Sequence, residues 1–143
     1  MGGIYMKHLN PYIGFNGNCR EAMTFYKECL GGELTMQTIG ESPMAAQMPP
    51  EMKDKIMHSA LMKDGMSILM ASDMTDPGMS PKGNTISLCI NCSSKEEIEA
   101  FFSKLSAGGK VDHPLKEEFW GTFGDLTDTF GIRWNCTSLQ LSA

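Results

Sequence analysis

One pattern occurs twice in this chain of 143 residues, and it restricts the folds that the chain can form. Each copy begins with a polar residue followed three positions later by glutamate and ends with two glycines, signals for the start and stop of a helix. These residues are Asn18, Glu21 and Gly31-Gly32 in the first copy, and Ser94, Glu97 and Gly108-Gly109 in the second. The caps are 76 positions apart and the glycine pairs 77, so we predict a duplicated structural unit.

Apolar residues at helical spacing between these signals predict one helix from Cys19 to Leu30 and a second that carries Ile98 and Leu105. A strand-like run precedes each helix and three more follow it, so the predicted order is βαβββ twice and the fold class is α+β. The predicted strands are 12–15, 33–39, 57–63 and 67–72 in the first module, and 85–90, 110–115, 121–126 and 132–137 in the second.

We expect a single domain over residues 1–143, with one module at about 8–75 and the other at about 84–140. Asp64-Gly65 predicts a hairpin turn in the first module. The segment from Gly40 to Lys55 is predicted to be a loop ending in one helical turn, and two hypotheses stand for it. In the first, Met44 and Met48 cover a binding site. In the second, the segment only crosses the protein surface or forms a dimer contact.

The charge and the cysteines exclude several classes of function. The formal net charge is −5, and the 12 Lys and Arg residues are scattered, which argues against nucleic acid and anionic membranes as partners. No apolar stretch approaches the roughly 18 residues of a membrane span, and the N-terminus lacks the apolar region of a signal peptide. Five cysteines are an odd set that predicts reduced thiols, so we expect a cytoplasmic protein.

Two strings, near the beginning and the end of the chain, resemble one known family. They are Asn10-Pro11-Tyr12-Ile13, Phe15, Gly17-Asn18-Cys19, Glu21-Ala22, Phe25-Tyr26 and Leu30-Gly31-Gly32, and then Trp120-Gly121, Phe123-Gly124, Asp128, Phe130-Gly131 and Trp134. Over residues 9–137 the chain resembles the PhnB-like branch of the vicinal oxygen chelate superfamily, which includes glyoxalases, bleomycin resistance proteins and dioxygenases. The resemblance implies two βαβββ modules forming an open, cupped mixed sheet, commonly within a homodimer.

The resemblance also implies positions for a divalent metal, which glyoxalase-type members hold with His, Glu or Gln from the first and last strand of each module. The corresponding positions are Asn10 or Pro11, Met70, Asn84 or Thr85, and Asn135. None of these is a suitable ligand, so we predict no metal and no other cofactor. Members of this branch are often labelled 3-demethylubiquinone 3-methyltransferase-like, but the glycines are not placed as in a nucleotide-binding doubly wound sheet, and we do not expect methyltransferase activity.

Eight residues are candidates for lining a ligand-binding cavity, because they combine inward strand positions with aromatic, titratable or polar side chains. They are Tyr12, His58, Met70, Ser87, Trp120, Phe123, Asp125 and Asn135. For His58 and Asp125, a hydrogen-bonding role in the framework is an alternative. We expect His8 and His113 to be solvated, Asp73 to have a turn or hydrogen-bonding role, and Trp134 to pack beneath the helices. Asp128 is expected to be structural, and Cys89 and Cys92 to be bystanders despite their CxxC spacing, although a helix N-terminus near Cys92 would sharpen its reactivity.

Two functional hypotheses remain open. The first is a metal-free homodimer that binds small hydrophobic or aromatic molecules, which fits the missing ligands and the 13 methionines. The second is a lyase, isomerase or dioxygenase of the superfamily that holds a divalent metal with other ligands, such as His58 and Asp125. Either hypothesis predicts a dimer, because open half-cups leave strand edges to be covered.

Overall fold

Two four-stranded sheets with the same strand order carry the part of the chain that the computed structural model describes, residues 9–73 and 86–139. The chain divides into two compact units, Met1–Met79 and Ser80–Ala143. The first contains β1 (Tyr12–Gly14), α1 (Cys19–Leu30), β2 (Glu33–Thr38), β3 (Ile56–Lys63) and β4 (Met66–Ser72). The second contains β5 (Leu88–Asn91), α2 (Lys95–Ser106), β6 (Lys110–Glu118), β7 (Gly121–Thr127) and β8 (Arg133–Leu139).

The duplicated βαβββ order and the α+β class are confirmed. Within the first sheet the order is β1-β4-β3-β2, and within the second it is β5-β8-β7-β6. In each sheet the first and last strands of the unit run parallel and the other pairs run antiparallel. The backbone match extends to single bonds, because Phe15 N–H donates to Ser72 O at 2.8 Å and Cys92 N–H to Thr137 O at 2.7 Å.

The N-terminus of α1 is capped differently from the prediction. Asn18 occupies the N-cap position, but its side chain makes no capping hydrogen bond. Instead, Oδ1 of Asp73 accepts from the backbone N–H groups of Gly17 at 2.9 Å and Cys19 at 3.0 Å, and Oδ2 accepts from Ile56 at 2.9 Å. A carboxylate from the residue after β4 therefore replaces the local capping box, and Asp73 has the hydrogen-bonding role expected of it.

The predicted cap of α2 is half correct. Ser94 Oγ accepts from the backbone N–H of Glu97 at 3.1 Å, as the pattern requires. The carboxylate of Glu97, however, accepts from Ser93 N–H at 3.1 Å rather than from the N-cap residue. The helix thus has a self-contained N-terminal cap, whereas α1 depends on a residue more than 50 positions away.

Each helix covers one face of the sheet in its own unit. In the first unit Cys19 Sγ of α1 lies 3.6 Å from Ser59 Oγ of β3, and Leu61, Leu69 and Ala71 are fully buried beside it. In the second unit α2 buries residues such as Ile98 and Leu105 over Leu126, Trp134 and Cys136. Burial of each large side chain contributes about 1.5–3 kcal/mol, so these two layers supply much of the stability.

Two turns follow the sequence signals. Asp64 and Gly65 both have positive φ, at 53° and 79°, which matches the two-residue hairpin predicted there. The carboxylate of Asp128 accepts from the backbone N–H of Phe130 at 2.8 Å and of Ile132 at 3.0 Å, and from Nε1 of buried Trp134 at 2.8 Å. The structural role of Asp128 and the burial of Trp134 are therefore confirmed.

Three regions differ from the predictions in type or by more than two residues. The segment expected to be a loop ending in one helical turn forms three short 3-10 helices, Ile39–Glu41, Pro43–Gln47 and Pro50–Met52. Prolines begin two of them because proline needs no N–H at a first helical position. The first strand of the second unit is Leu88–Asn91, so residues 86 and 87 of the predicted strand 85–90 are not part of it, and residue 85 lies outside the described residues. β6 continues to Glu118 instead of ending at residue 115.

Candidate ligand-binding site

The face of the second sheet that points away from α2 carries a row of polar side chains. Gly124 lies beneath α2, since a Cβ there would come 3.0 Å from Phe102, so its neighbour Asp125 points to the opposite face. Cross-strand pairing places Cys89 beside Asn135, Asn135 beside Asp125, and Asp125 beside His113. These four residues therefore form a continuous row across all four strands.

The strongest contact in this row joins two titratable residues. His113 Nδ1 lies 2.8 Å from Asp125 Oδ1. Asp125 is only 7% exposed, whereas the side chain of His113 is 72% exposed. His113 is solvated, as expected, but it lies within β6, and its ring is held by a buried carboxylate.

An irregularity in β6 shapes the surface next to this pair. Pairing passes from Val111 with Leu126 to His113 with Asp125, and then to Lys116 with Phe123, so β6 contains two more residues than β7 over this stretch. Pro114 has no N–H to donate, which suits a bulge in an edge strand. The bulges redirect the side chains of β6 at the point where a pocket opens.

The pocket has a volume of about 460 Å³ and lies entirely within the second unit. Its lining residues are His113, Pro114, Leu115, Lys116, Glu118, Trp120 and Phe123. The rings of Trp120 and Phe123 are tilted at 55° with their centroids 6.2 Å apart. Lys116 Nζ lies 3.3 Å from Glu118 Oε1, so these two charged side chains on the wall of the pocket form an ion pair.

The structure brings three of the candidate residues together in the first unit. Tyr12 Oη lies 3.2 Å from His58 Nδ1, and the two rings are 5.9 Å apart. Met70 is the cross-strand partner of Tyr12. Because side chains alternate along β3, His58 lies on the face opposite to Ser59 and hence away from α1. The helix-free face of the first sheet thus carries a tyrosine, a histidine and a thioether.

The remaining candidates, Ser87 and Asn135, lie together near the metal position that the resemblance implies. Asn135 Nδ2 donates to Ser87 Oγ at 2.9 Å, so Ser87, just before β5, is the neighbour of Asn135 there. Asn84 and Thr85, predicted for that position, lie outside the described residues. The 77-residue offset makes Asn10 the counterpart of Ser87. Neutral amide and hydroxyl groups do not fit a divalent transition metal, and no step below depends on one.

The cysteines are free thiols, and four of the five are buried. Burial raises the pKa of Cys136 to about 12 and that of Cys92 to about 11, so both remain protonated at neutral pH. Cys92 was expected to be a bystander, and the alternative that the helix N-terminus sharpens its reactivity gains no support, because desolvation and the nearby Glu97 carboxylate both raise the pKa of its thiol. Cys89 is the exposed member of the CxxC sequence.

His113 and Lys116 were not among the residues predicted to line the site. The predicted strands 110–115 and 121–126 bring His113 next to β7, but only the register seen in the structure places it opposite Asp125. Lys116 lay beyond the predicted end of β6. Its placement follows from the bulges beside Pro114, which no simple alternation of apolar and polar residues indicates.

Comparison with known proteins supports the resemblance over nearly the whole chain. Residues 7–137 match the family model described as 3-demethylubiquinone-9 3-methyltransferase. Protein YjdN of Escherichia coli strain K12 is 35% identical over 136 residues, which cover 88% of this chain and 91% of YjdN. Protein PA1353 from Pseudomonas aeruginosa has a crystal structure with a TM-score of 0.80 and 41% identity, covering 95% of this chain and 100% of that one.

More distant structures share the fold. A putative 3-demethylubiquinone-9 3-methyltransferase from Bacillus cereus, titled PhnB protein, has a TM-score of 0.75 at 24% identity and covers 92% of this chain and 99% of its own. A glyoxalase/bleomycin resistance protein/dioxygenase from Nocardioides has a TM-score of 0.59 at 16% identity, covering 100% and 88%. The chain therefore belongs to the PhnB-like family, whose model carries the 3-demethylubiquinone-9 3-methyltransferase description, and has the glyoxalase/bleomycin resistance fold.

Proposed function

We propose that this protein binds small, flat aromatic molecules in the pocket of its second unit, without a metal, as a homodimer in the cytoplasm. The observation that carries the proposal is the pair of aromatic rings, Trp120 and Phe123, on the wall of a pocket of about 460 Å³. Pockets of roughly 300–1,000 Å³ with apolar walls and a few polar groups are typical sites for small ligands. No residue in this arrangement needs a cofactor to act.

The chemistry of the wall favours an aromatic ligand over a charged one. Tilted rings 6.2 Å apart present a face and an edge to a planar molecule, an arrangement worth about 0.5–1.5 kcal/mol for each aromatic pair beyond area burial. Leu115 and Pro114 extend the apolar surface. The charges of Lys116 and Glu118 are paired, so neither is left to attract an ion of the opposite sign.

The methyltransferase description is not a good guide to this site. Binding of S-adenosylmethionine usually uses a Gly-rich turn between strand and helix in a doubly wound parallel sheet. Here each sheet has one parallel pair and two antiparallel pairs, an arrangement with no crossing point of that kind. A family name on this fold thus carries less weight than the side chains of the site.

The metal-dependent alternative needs His58 and Asp125 to share an ion. Each has a partner in its own unit instead, Tyr12 for His58 and His113 for Asp125. Within the described ranges, no three His, Cys, Asp or Glu residues are grouped to hold a metal. Elemental analysis and calorimetric titration with nickel, zinc, manganese and iron test this alternative, and stoichiometric metal that is lost on His58→Ala would establish it.

Free cysteines support the proposed cytoplasmic location, and exposed apolar residues support the proposed homodimer. All five cysteines are thiols, which fits a reducing compartment. Phe119 is 93% and Ile86 80% exposed, and large exposed apolar residues often mark contacts between subunits. Sedimentation equilibrium should give twice the mass of the chain, and a monomer at tens of micromolar would contradict the dimer. None of the helices in the described part is long and apolar enough to cross a membrane.

Titration of ¹⁵N-labelled protein with 2-methoxynaphthalene, followed by two-dimensional NMR, tests the binding proposal. The two tryptophans give separate indole signals, and that of Trp120 should shift while that of buried Trp134 should not. Trp120→Leu should weaken binding about tenfold, because it removes one aromatic wall. Phe25→Leu is the matched control, since Phe25 is an aromatic residue of α1 in the first unit and does not line the pocket. No shift at saturating ligand would refute the proposal.

A further inference from the structure

We infer that the His113–Asp125 pair is the polar anchor of this pocket and selects aromatic ligands that carry a hydroxyl group, such as phenols and naphthols. The inference rests on the proposed function and specifies its ligand class. Nε2 of His113 accepts the hydrogen bond, and the ring of the ligand lies against Trp120 and Phe123. All three side chains line the same pocket.

The partner of Nδ1 determines what Nε2 can do. An ionised carboxylate only accepts hydrogen bonds, so Asp125 Oδ1 at 2.8 Å requires the proton to be on Nδ1. In the neutral ring the lone pair then lies on Nε2, which becomes an acceptor. Buried Asp125 fixes the ring orientation, while the 72% exposure of the His113 side chain leaves it accessible to a ligand.

The charged groups around the ring favour a neutral hydroxyl over a carboxylate. On β6, Lys116 pairs with Glu118 at 3.3 Å, and Lys110 lies 3.9 Å from Asp112. On β7, the titratable group that faces His113 is Asp125 itself. A negatively charged ligand at Nε2 would face the carboxylate of Asp125 on the other side of the imidazole ring. A hydroxyl can donate to Nε2 without bringing a charge.

A matched pair of ligands isolates this hydrogen bond. 2-Naphthol and 2-methoxynaphthalene share the ring system, but only the first donates a hydrogen bond. Binding of both is measured by NMR titration on the wild-type chain, His113→Ala and Asp125→Asn. A neutral hydrogen bond corresponds to about a three- to tenfold change in affinity, so the wild type should prefer naphthol by that factor. His113→Ala should abolish the preference, because it should weaken the binding of naphthol three- to tenfold more than the binding of the ether.

Asp125→Asn separates positioning from contact. The asparagine amide can present N–H to Nδ1 and stabilise the opposite tautomer, which should reduce the naphthol preference while the ether still binds. Long-range ¹H–¹⁵N spectra in alkaline solution report the tautomer directly, because ordinary imidazoles are neutral there. The Nδ1–H form is expected in the wild type. Because His113 is exposed, His113→Ala should fold normally even if the change at buried Asp125 destabilises the chain.

The outcomes distinguish this inference from the proposed function. If both ligands bind with equal affinity, or if His113→Ala weakens both equally, the aromatic site stands and the anchor is refuted. The same conclusion follows if the wild-type ring carries its proton on Nε2. If neither ligand shifts the Trp120 indole signal, the binding site itself is refuted, and the anchor with it.

Discussion

The carboxylate of Asp73 should contribute more to the stability of the first unit than any other single polar side chain near α1. It accepts three backbone hydrogen bonds, from Gly17, Cys19 and Ile56, at 2.9–3.0 Å, and it is 6% exposed. Its own N–H also donates to Ile56 O at 2.8 Å. Asp73 thereby links the start of α1 to the first residue of β3.

Asp73→Ala should lower the free energy of unfolding by about 3–5 kcal/mol. Hydrogen bonds to a charged group contribute about 1.5–3 kcal/mol each, and removal of an N-cap alone costs about 0.5–2 kcal/mol. The expected loss is smaller than three full bonds because water can reach part of the vacated space. Asp73→Asn retains one carbonyl oxygen and should lose about 2–3 kcal/mol.

Urea denaturation followed by circular dichroism measures this loss. With a slope of about 1.5–2 kcal/mol per molar urea, the midpoint for Asp73→Ala should fall by about 2 M. Tryptophan fluorescence adds a second probe, since Trp120 and Trp134 both lie in the second unit. A simultaneous shift of both signals would show that the two units unfold together.

Exposed Asp54 provides the control, and Asp54→Ala should change stability by less than about 0.5 kcal/mol. A loss below about 1 kcal/mol for Asp73→Ala would refute the reasoning, because the N–H groups of Gly17, Cys19 and Ile56 would then find other partners at little cost.

Three further predictions concern the thiols and the turns. A thiol reagent added to the native protein near pH 8 should label one exposed cysteine quickly, and Cys89→Ser should remove that phase. Burial raises the pKa of Cys19 to about 11 and of Cys136 to about 12, so the folded state holds these protons more tightly than the unfolded state. The contribution of these thiols to stability should therefore be constant below about pH 9 and fall as pH rises towards 12, and Cys19→Ala should flatten part of that fall in urea titrations. Gly32→Ala should cost about 3 kcal/mol or more, because its Cβ would collide with Met62 O, whereas Gly17→Ala, with open space around it, should cost about 1 kcal/mol.

The duplicated framework could be predicted because its signals are local. The bounds of α1 are Cys19 and Leu30, as expected, and the hairpin at Asp64-Gly65 has the positive φ values that its sequence indicates. Capping was less predictable. Asn18 and Glu21 form a valid local pattern, but a tertiary partner that is absent from any local window replaces it.

The site was predicted in part. Trp120, in the turn before β7, and Phe123, on the helix-free face of β7, both line the pocket. Tyr12, His58 and Met70 gather in the first unit, and Ser87 contacts Asn135. Which of these groups a ligand touches depends on side-chain geometry that spacing does not encode.

The two units share one backbone arrangement but differ in the row of side chains across the helix-free face of the sheet. Met70 and Asn135 occupy equivalent positions in the two units. Each lies two residues before the carbonyl that accepts the last hydrogen bond of the parallel strand pair, which is Ser72 O in the first unit and Thr137 O in the second. Their neighbours on the next strand are Ala60 and Asp125.

A small apolar residue thus stands in the first unit where the second has a buried carboxylate. Ala60 cannot orient an imidazole, whereas Asp125 can, and its partner His113 is one strand further along the same row. Duplication therefore preserves the packed face, where large changes cost stability, and leaves the helix-free face to diverge. On this argument, Asp125→Ala should make the second unit resemble the first, retaining the fold while losing the preference for hydroxylated ligands.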